Sequence, residues 1–185
     1  PQPTSSPLFP QIPTDRSVDH LSPGRGHWNV VTSFSTDAAR NLRLTDLPSH
    51  AELYDIALEF LAVTVTLWNG WEQGAIVLEK DTGRYSDEAK IHAANHKGRY
   101  FQVQGPLNIA RSPQGRPVII EAGSYPAGQK LAAETAEVVL TAAASLEEGQ
   151  AFYRIQKQFV REACLNPDDL LNPPGVMPLV GRTRV

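Results

Sequence analysis

Residues at helical spacing follow Ser49 along the chain. Ser49 and Glu52 form a capping-box pattern, in which each residue hydrogen-bonds the other's backbone at the start of a helix. The residues on the predicted buried face recur three and four apart: Leu53, Ile56, Ala57, Phe60, Thr64, Leu67, Trp68 and Trp71. The pattern predicts an amphipathic helix in which the two tryptophans are packing residues.

The second half of the chain alternates short apolar runs with helical periodicity. Apolar runs at 118–122 and 137–141 predict strands, and the segment 127–135 between them predicts a helix. Another helix is predicted from Ser145, where Glu148 completes a second capping box. Its predicted packing face carries Phe152, Ile155, Phe159 and Ala163. Strands that alternate with helices predict an α/β fold with a parallel sheet and right-handed crossovers.

The rest of the chain contains further predicted strands, loops and a terminal tail. The β-branched run at 28–32 predicts a strand, whereas 33–48 reads as a polar loop. Turn signals break up the stretch 72–104, for which strands at 75–78 and 99–103 predict an inserted hairpin. A last strand at 176–180 is disfavoured by the Asn-Pro-Pro string just before it. Residues 1–14 are expected to form a disordered, proline-rich tail, and 15–185 one domain.

Composition narrows the class of protein. The chain has 185 residues, of which 41% are hydrophobic and 20% charged, as is usual for a globular domain. The net charge of −3 without a basic block argues against nucleic acid or an anionic membrane as a partner. No apolar run is long enough to span a bilayer, so we expect a cytoplasmic protein. The single cysteine, Cys164, is expected to be partly buried on a helix.

The turn after the strand at 118–122 is the best candidate for a binding site. Ala122, Gly123 and Ser124 follow the strand directly, and Gly128 lies at the start of the next helix. The free N–H groups of such a turn and helix start favour an anion, most often a phosphate.

Two strings resemble those of the bacterial-luciferase-like flavin monooxygenases. They are DHLSPGRGHWNVVTS at 19–33 and GPLNIARSPQGRPVIIEAGSYPAG at 105–128. Shorter matches are LWNGWE at 67–72, KIH at 90–92 and HKG at 96–98. The nearest branch contains the nitrilotriacetate, dibenzothiophene-sulfone and long-chain alkane monooxygenases. The resemblance covers residues 15–182.

This resemblance implies an incomplete (β/α)8 TIM barrel, whose fourth to sixth or seventh strands lie in this chain. The active site of such a barrel lies at the carboxyl ends of its strands. It also implies FMN as the cofactor, reduced by a separate NAD(P)H-dependent flavin reductase, with O2 and a small organic molecule as substrates.

The resemblance assigns site residues one position at a time. Asn29, Val31 and Thr32 match residues that border the flavin ring. His50 and Tyr54 match a pair that reaches the FMN phosphate or ribityl chain. The phosphate turn itself matches at Gly123, Ser124, Tyr125 and Gly128. Ser33 matches a position that faces the substrate in some relatives.

Local explanations compete with these assignments. Asn29 and Thr32 are also suited to hydrogen-bonding backbone groups at a strand end. His50 fits a solvated first turn of a helix, and Tyr54 fits a packing position. His92 and His96 have the spacing of a metal pair, but they lack a third ligand in a suitable frame, so we expect no metal.

Three departures from the family pattern bear on function. Glu121 stands where relatives usually have glutamine, and Tyr125 where they usually have serine. A carboxylate near a phosphate site is repulsive unless it is protonated or turned away, so weaker FMN binding is expected. The opening and closing strands of the barrel are also absent, which leaves strand edges open and favours homo-oligomerisation.

Two functions therefore remain open from the sequence, beside the less favoured alternative of a soluble α/β domain of unrelated function. The first is part of an FMN-dependent two-component monooxygenase. The second is a truncated, non-catalytic relative that acts as a structural or interaction protein. Binding of FMN by the chain distinguishes them.

Overall fold

The computed structural model describes residues 11–32, 48–123 and 125–175. The chain divides into two compact units, and each unit is formed by two separate stretches of the sequence. The first unit comprises Pro1–Trp28 and Thr32–Val118, and the second comprises Asn29–Val31 and Ile119–Val185.

Two helices and an aromatic cluster form the core of the first unit. Helix α1 spans Gln11–Leu21, strand β1 spans His27–Val30, and helix α2 spans His50–Asn69. The ring of Trp28 packs edge-on against both Phe60 and Trp68 of α2, with ring centroids 5.7 Å apart in each pair. Trp68 is fully buried, as predicted.

Helix α1 corrects the prediction of a disordered tail over 1–14, because it includes residues 11–14. Its buried residues are Ile12, Arg16 and Asp19, and two of these three are charged. A search for apolar periodicity therefore does not find this helix. Residues 1–10 lie outside the described residues.

Hydrogen bonds to groups outside the helix partly compensate the buried charges of α1. The Arg16 guanidinium donates to the carbonyls of Ala110 at 2.7 Å and Trp68 at 2.5 Å. Asp19 Oδ1 accepts from the amide of Gly26 at 2.8 Å and from the side chain of Gln114 at 2.5 Å. Buried polar groups are tolerated when they are paired in this way.

The inserted stretch forms two antiparallel hairpins rather than one. Strand β2 (Ile76–Glu79) pairs with β3 (Arg84–Ser86), and β4 (His96–Lys97) pairs with β5 (Gln102–Val103). A short 3-10 turn at Glu88–Lys90 lies between them. The strand predicted over 99–103 is therefore reduced to its last two residues.

A carboxylate fastens the second hairpin to α2. Glu59 accepts hydrogen bonds from the backbone amides of Tyr100 and Phe101 and contacts His96 Nε2 at 3.0 Å. The carboxylate of Glu72 contacts the ring of the other histidine, with Oε1 2.6 Å from His92 Nε2. Both histidines considered above as a metal pair are thus partnered by carboxylates.

The second unit has the alternating order that the sequence predicts. Strand β6 spans Val118–Glu121, helix α3 spans Pro126–Thr135, strand β7 spans Val138–Val139 and helix α4 spans Leu146–Glu162. The sheet order is β1–β6–β7, and β6 and β7 are parallel.

The segment after α4 continues this sheet. Isolated parallel bridges join Val138 to Leu171 and Thr141 to Pro174. The proline-containing segment therefore lies beside β7, although the sequence disfavoured it as a strand. Residues 176–180, considered above as a last strand, lie outside the described residues.

The packing face of α4 was predicted in part, because Phe152 and Phe159 pack against the hydrophobic core of the second unit. Ile155 is 43% exposed, whereas Gln156, Lys157 and Val160 are buried. Lys157 reaches a buried position because its ammonium donates to the backbone carbonyls of Pro167 and Leu170. Hydrogen bonding thus offsets the cost of burying the charge.

Cys164 also differs from the prediction. It lies beyond the end of α4, is exposed, and has a φ of 59°. The chain reverses there in the left-handed region, so the residue leaves the helix surface.

Candidate phosphate-binding site

The candidate site in the second unit begins where β6 ends. The Glu121 carbonyl accepts a hydrogen bond from the Leu140 amide at 2.8 Å. Ile119 and Glu137 are joined twice, because the Ile119 amide donates to the Glu137 carboxylate at 2.7 Å and the Glu137 amide donates to the Ile119 carbonyl at 3.0 Å. The end of β6 is therefore firmly held against the chain that leads into β7.

Two glycines permit a close turn between β6 and α3. A Cβ atom on Gly123 would lie 3.0 Å from the carbonyl carbon of Gly128 and 3.1 Å from its Cα. Few real Cβ contacts are this short, so a side chain at 123 would push the turn away from the helix. The two glycines bring the strand end directly onto the first turn of α3.

The amino end of α3 is suited to an anion. Tyr125 is its N-cap residue and makes no side-chain capping hydrogen bond, and Pro126 occupies the first turn, which carries no acidic residue. The backbone amides of a first helical turn have no carbonyl partners within the helix. Together with the helix dipole, these amides attract negative charge.

The predicted residues of the second unit are distributed over this end of the sheet. Gly128 is buried, and the Tyr125 side chain is 65% exposed. Asn29 and Val31 belong to the same unit, where Val31 is 67% exposed. Ser124 lies outside the described residues.

The other predicted residues belong to the first unit. Thr32 is half-buried just after β1. His50 and Tyr54 lie four apart on α2, a spacing that places residues on one helical face. Tyr54 is half-buried, while the side chain of His50 and the whole of Ser33 lie outside the described part of the structure.

Glu121, the last residue of β6, has a buried environment that only the structure reveals. Its side chain is 3% exposed, and its Oε1 lies 2.9 Å from the Thr135 hydroxyl. Thr135 is the last residue of α3, so the carboxyl group turns away from the anion site at the other end of that helix. Burial raises the pKa of Glu121 to about 7, although a hydrogen bond donated by Thr135 would act in the opposite direction.

A separate cleft of about 400 Å³ opens in the second unit beside the first half of α4. Its lining includes Thr141, Leu146, Tyr153, Arg154 and Pro174. None of the described residues of the turn between β6 and α3 lines it, so this cleft is distinct from the candidate anion site.

Comparison with known proteins places the chain in a family. A sequence model described as "Luciferase-like monooxygenase" matches residues 16–184. The chain belongs to the luciferase-like monooxygenase family. This confirms the resemblance seen in the sequence.

Three curated relatives represent the expected branch. The chain is 45% identical over 167 residues to N-acetyl-S-(2-succino)cysteine monooxygenase of Bacillus subtilis strain 168, a match that covers 90% of this chain and 38% of that protein. The chain is 44% identical to nitrilotriacetate monooxygenase component A of Aminobacter aminovorans, and this match covers 90% of this chain and 37% of that protein. The chain is 42% identical to dibenzothiophene-sulfone monooxygenase of Rhodococcus erythropolis, and this match covers 91% of this chain and 37% of that protein.

Solved structures show the same fold. A long-chain alkane monooxygenase superposes with a TM-score of 0.86 at 34% identity, covering 90% of this chain and 39% of that one. A riboflavin lyase bound to modified FMN and riboflavin superposes with a TM-score of 0.85 at 31% identity, covering 92% of this chain and 38% of that one. The chain thus spans less than two fifths of the length of these proteins.

Neither a membrane span nor a metal cluster is found in the part of the chain that the structure describes. No helix there is long and apolar enough to cross a bilayer. No group of three histidine, cysteine, aspartate or glutamate residues in the described ranges is arranged to hold a metal ion.

Proposed function

We propose that this chain supplies the FMN phosphate-binding segment of a two-component flavin monooxygenase. The observation that carries the proposal is the close approach of Gly123 to Gly128 at a helix start that lacks a side-chain cap. A dianionic phosphate fits such a site because amide donors and the helix dipole act on it together. Bound FMN, delivered in reduced form by a separate NAD(P)H-dependent reductase, would supply the chemistry that transfers oxygen from O2 to a small organic substrate.

The chain's own residues are proposed to bind and orient the cofactor. The turn amides near Gly123, Ser124, Tyr125 and Gly128 would hold the phosphate. By resemblance to the family, Asn29, Val31 and Thr32 would border the flavin ring. His50 and Tyr54 would contact the ribityl chain or phosphate, and Ser33 would face the substrate.

Names of related proteins support a two-component system. One relative is named component A of nitrilotriacetate monooxygenase, and two others are subunits A and B of pristinamycin IIA synthase. We infer that β1, β6 and β7 are the fourth to sixth strands of a partial (β/α)8 barrel. The chain spans only 38% of the length of N-acetyl-S-(2-succino)cysteine monooxygenase. Oxygenation is therefore proposed for a protein in which the remaining barrel segments accompany this chain.

FMN titration of the purified chain tests the proposal. The Gly123→Ala variant is expected to weaken FMN binding about tenfold or more, because the added Cβ separates the turn from the helix that holds the phosphate. Flavin fluorescence quenching measures the affinity. Riboflavin, which lacks the phosphate, should bind wild-type and variant chains equally.

Gly149→Ala is the matched control. A Cβ there would lie 3.7 Å from Ala143, an ordinary van der Waals contact, so FMN affinity should not change. Equal loss of FMN and riboflavin binding in Gly123→Ala would contradict phosphate binding at the turn. Failure of the wild-type chain to bind FMN would favour the non-catalytic alternative.

A further inference from the structure

The Thr135 hydroxyl lies within hydrogen-bond distance of two oxygen atoms but has only one hydrogen to donate. Its Oγ1 lies 2.7 Å from the Leu131 carbonyl and 2.9 Å from Glu121 Oε1. A threonine hydroxyl has one hydrogen to donate and two lone pairs to accept with. The Leu131 carbonyl and an ionised Glu121 carboxylate can both only accept, so the single Thr135 hydrogen cannot satisfy both contacts.

Threonine in a helix commonly donates to the carbonyl four residues earlier, and in that arrangement a neutral Glu121 supplies the second hydrogen to Thr135 Oγ1. If the carboxyl group were ionised, two oxygens would face each other at 2.9 Å without a hydrogen between them whenever Thr135 bonds Leu131. A neutral carboxylic acid removes this conflict, because its O–H donates to Oγ1 while Oγ1 donates onward to Leu131. Burial acts in the same direction, since it disfavours the charged form.

Charged groups on the adjacent elements do not replace that hydrogen. On α3, Lys130 and Glu134 are both exposed. The carboxylate of Glu137, which precedes β7, accepts from the Ile119 amide. Lys157 of α4 donates to two backbone carbonyls, and the β1 residues in this unit, Asn29 and Val30, are not titratable. The causes of the raised pKa of Glu121 include no charged neighbour.

We propose that Glu121 is a neutral carboxylic acid that positions α3 on β6 through Thr135, and that its ionisation weakens anion binding at the start of α3. The hydrogen-bond chain runs from Glu121 through Thr135 to Leu131, so it joins the strand that precedes the turn to the helix that follows it. The link to FMN rests on the function proposed above. A glutamine at this position would hold the same contact with an N–H donor at every pH.

The first test concerns the proton itself. Infrared spectra of the wild-type chain at pH 6 should show a protonated-carboxyl band that is lost as the pH is raised to 9. The band should be missing in Glu121→Gln and unchanged in Glu134→Gln, the exposed control on α3. A wild-type spectrum indistinguishable from that of Glu121→Gln at pH 6 would overturn the assignment.

The direction of the hydrogen bond is tested by Thr135→Val. This variant removes the acceptor of a neutral acid while keeping the side-chain shape, so the band should disappear at a lower pH than in wild type. If Thr135 instead donated to an ionised carboxylate, the same variant would move the loss to a higher pH. That outcome would overturn the proposed hydrogen-bond chain.

The second test concerns binding. The FMN affinity of the wild-type chain should fall about tenfold between pH 6 and pH 9, relative to that of Glu121→Gln over the same range. The second ionisation of a phosphate monoester near pH 6 affects both chains alike, and riboflavin affinity should not distinguish them. If the FMN affinities of wild type and Glu121→Gln changed in parallel between pH 6 and pH 9, the coupling would be overturned while the proposed function stayed intact. Absence of FMN binding by both chains would overturn the proposed function and the coupling, and the infrared band would still decide the protonation of Glu121.

Discussion

At the scale of single residues, Glu121 shows how burial changes the meaning of a substitution. In the sequence, a carboxylate beside a phosphate turn is a liability because like charges repel. In the structure, the side chain is buried against Thr135, at the end of α3 opposite the turn. When the buried carboxyl group is protonated, it carries no charge that would repel a phosphate.

The first prediction concerns the pH dependence of stability. Burial raises the pKa of Glu121 from 4.5 to about 7, so the folded chain binds more protons than the unfolded chain between these values. The free energy of unfolding should therefore fall as the pH rises from about 5 to about 7, and then level off. Each pKa unit corresponds to about 1.4 kcal/mol.

Glu121→Gln removes this dependence. The variant should equal wild type in stability near pH 5 and exceed it by on the order of 3 kcal/mol near pH 8. Urea denaturation at the two pH values measures the difference, with Glu134→Gln as the control. A constant difference between wild type and Glu121→Gln across this range would contradict the prediction.

At the scale of secondary-structure elements, local hydrogen bonds made the helix starts predictable. The Ser49 hydroxyl accepts from the Glu52 amide, and the Ser145 hydroxyl from the Glu148 amide, both at 3.2 Å. These partners lie three residues apart, so the sequence contains both. The buried face of α4 was harder to predict, because Lys157 is buried by contacts with carbonyls of a later segment.

The second prediction sets two changes on α4 against each other. Ser145→Ala removes the cap and should lower the free energy of unfolding by about 1 kcal/mol. Gly149→Ala replaces a flexible residue inside the helix and should raise it by roughly 0.5–1 kcal/mol. Thermal denaturation of both variants measures the changes. Stabilisation by Ser145→Ala would show that the observed cap contributes nothing.

At the scale of the whole molecule, contacts between segments far apart in sequence hold the first unit together. Arg16 of α1 donates to the carbonyl of Trp68 at the end of α2 and to that of Ala110 in the segment before β6. Burial lowers the pKa of Arg16 to about 10; the positive charge of Arg111 adds to this effect, and Asp19 opposes it. The residue stays cationic at neutral pH, so its donors hold three segments at one buried point.

The third prediction follows from this arrangement. Arg16→Met leaves the two carbonyls without their charged donor and should lower the free energy of unfolding by roughly 3 kcal/mol. Arg16→Lys keeps the charge but not the forked geometry and should give an intermediate loss. Urea denaturation provides the measurement. Arg84→Met is the control, since its ion pair with Asp87 is on the surface and should matter little. Equal stability of Arg16→Met and wild type would refute this role.

The sequence by itself determined the features that depend on neighbouring residues or on family-specific strings. It predicted α2, the alternation of strands and helices after residue 117, the glycine turn and the family. The turn was predictable because Gly123 and Gly128 lie within one short stretch, and close approach of backbone requires glycine.

Only the tertiary structure decided which polar groups are buried and with what partners. Helix α1 was missed because its buried face carries Arg16 and Asp19, whose partners lie up to 95 residues away. The protonation of Glu121 was likewise undecided, because it depends on burial and on a hydroxyl fourteen residues later in the chain. The free energy of a buried charge is set by its surroundings, and those surroundings are brought together only by folding.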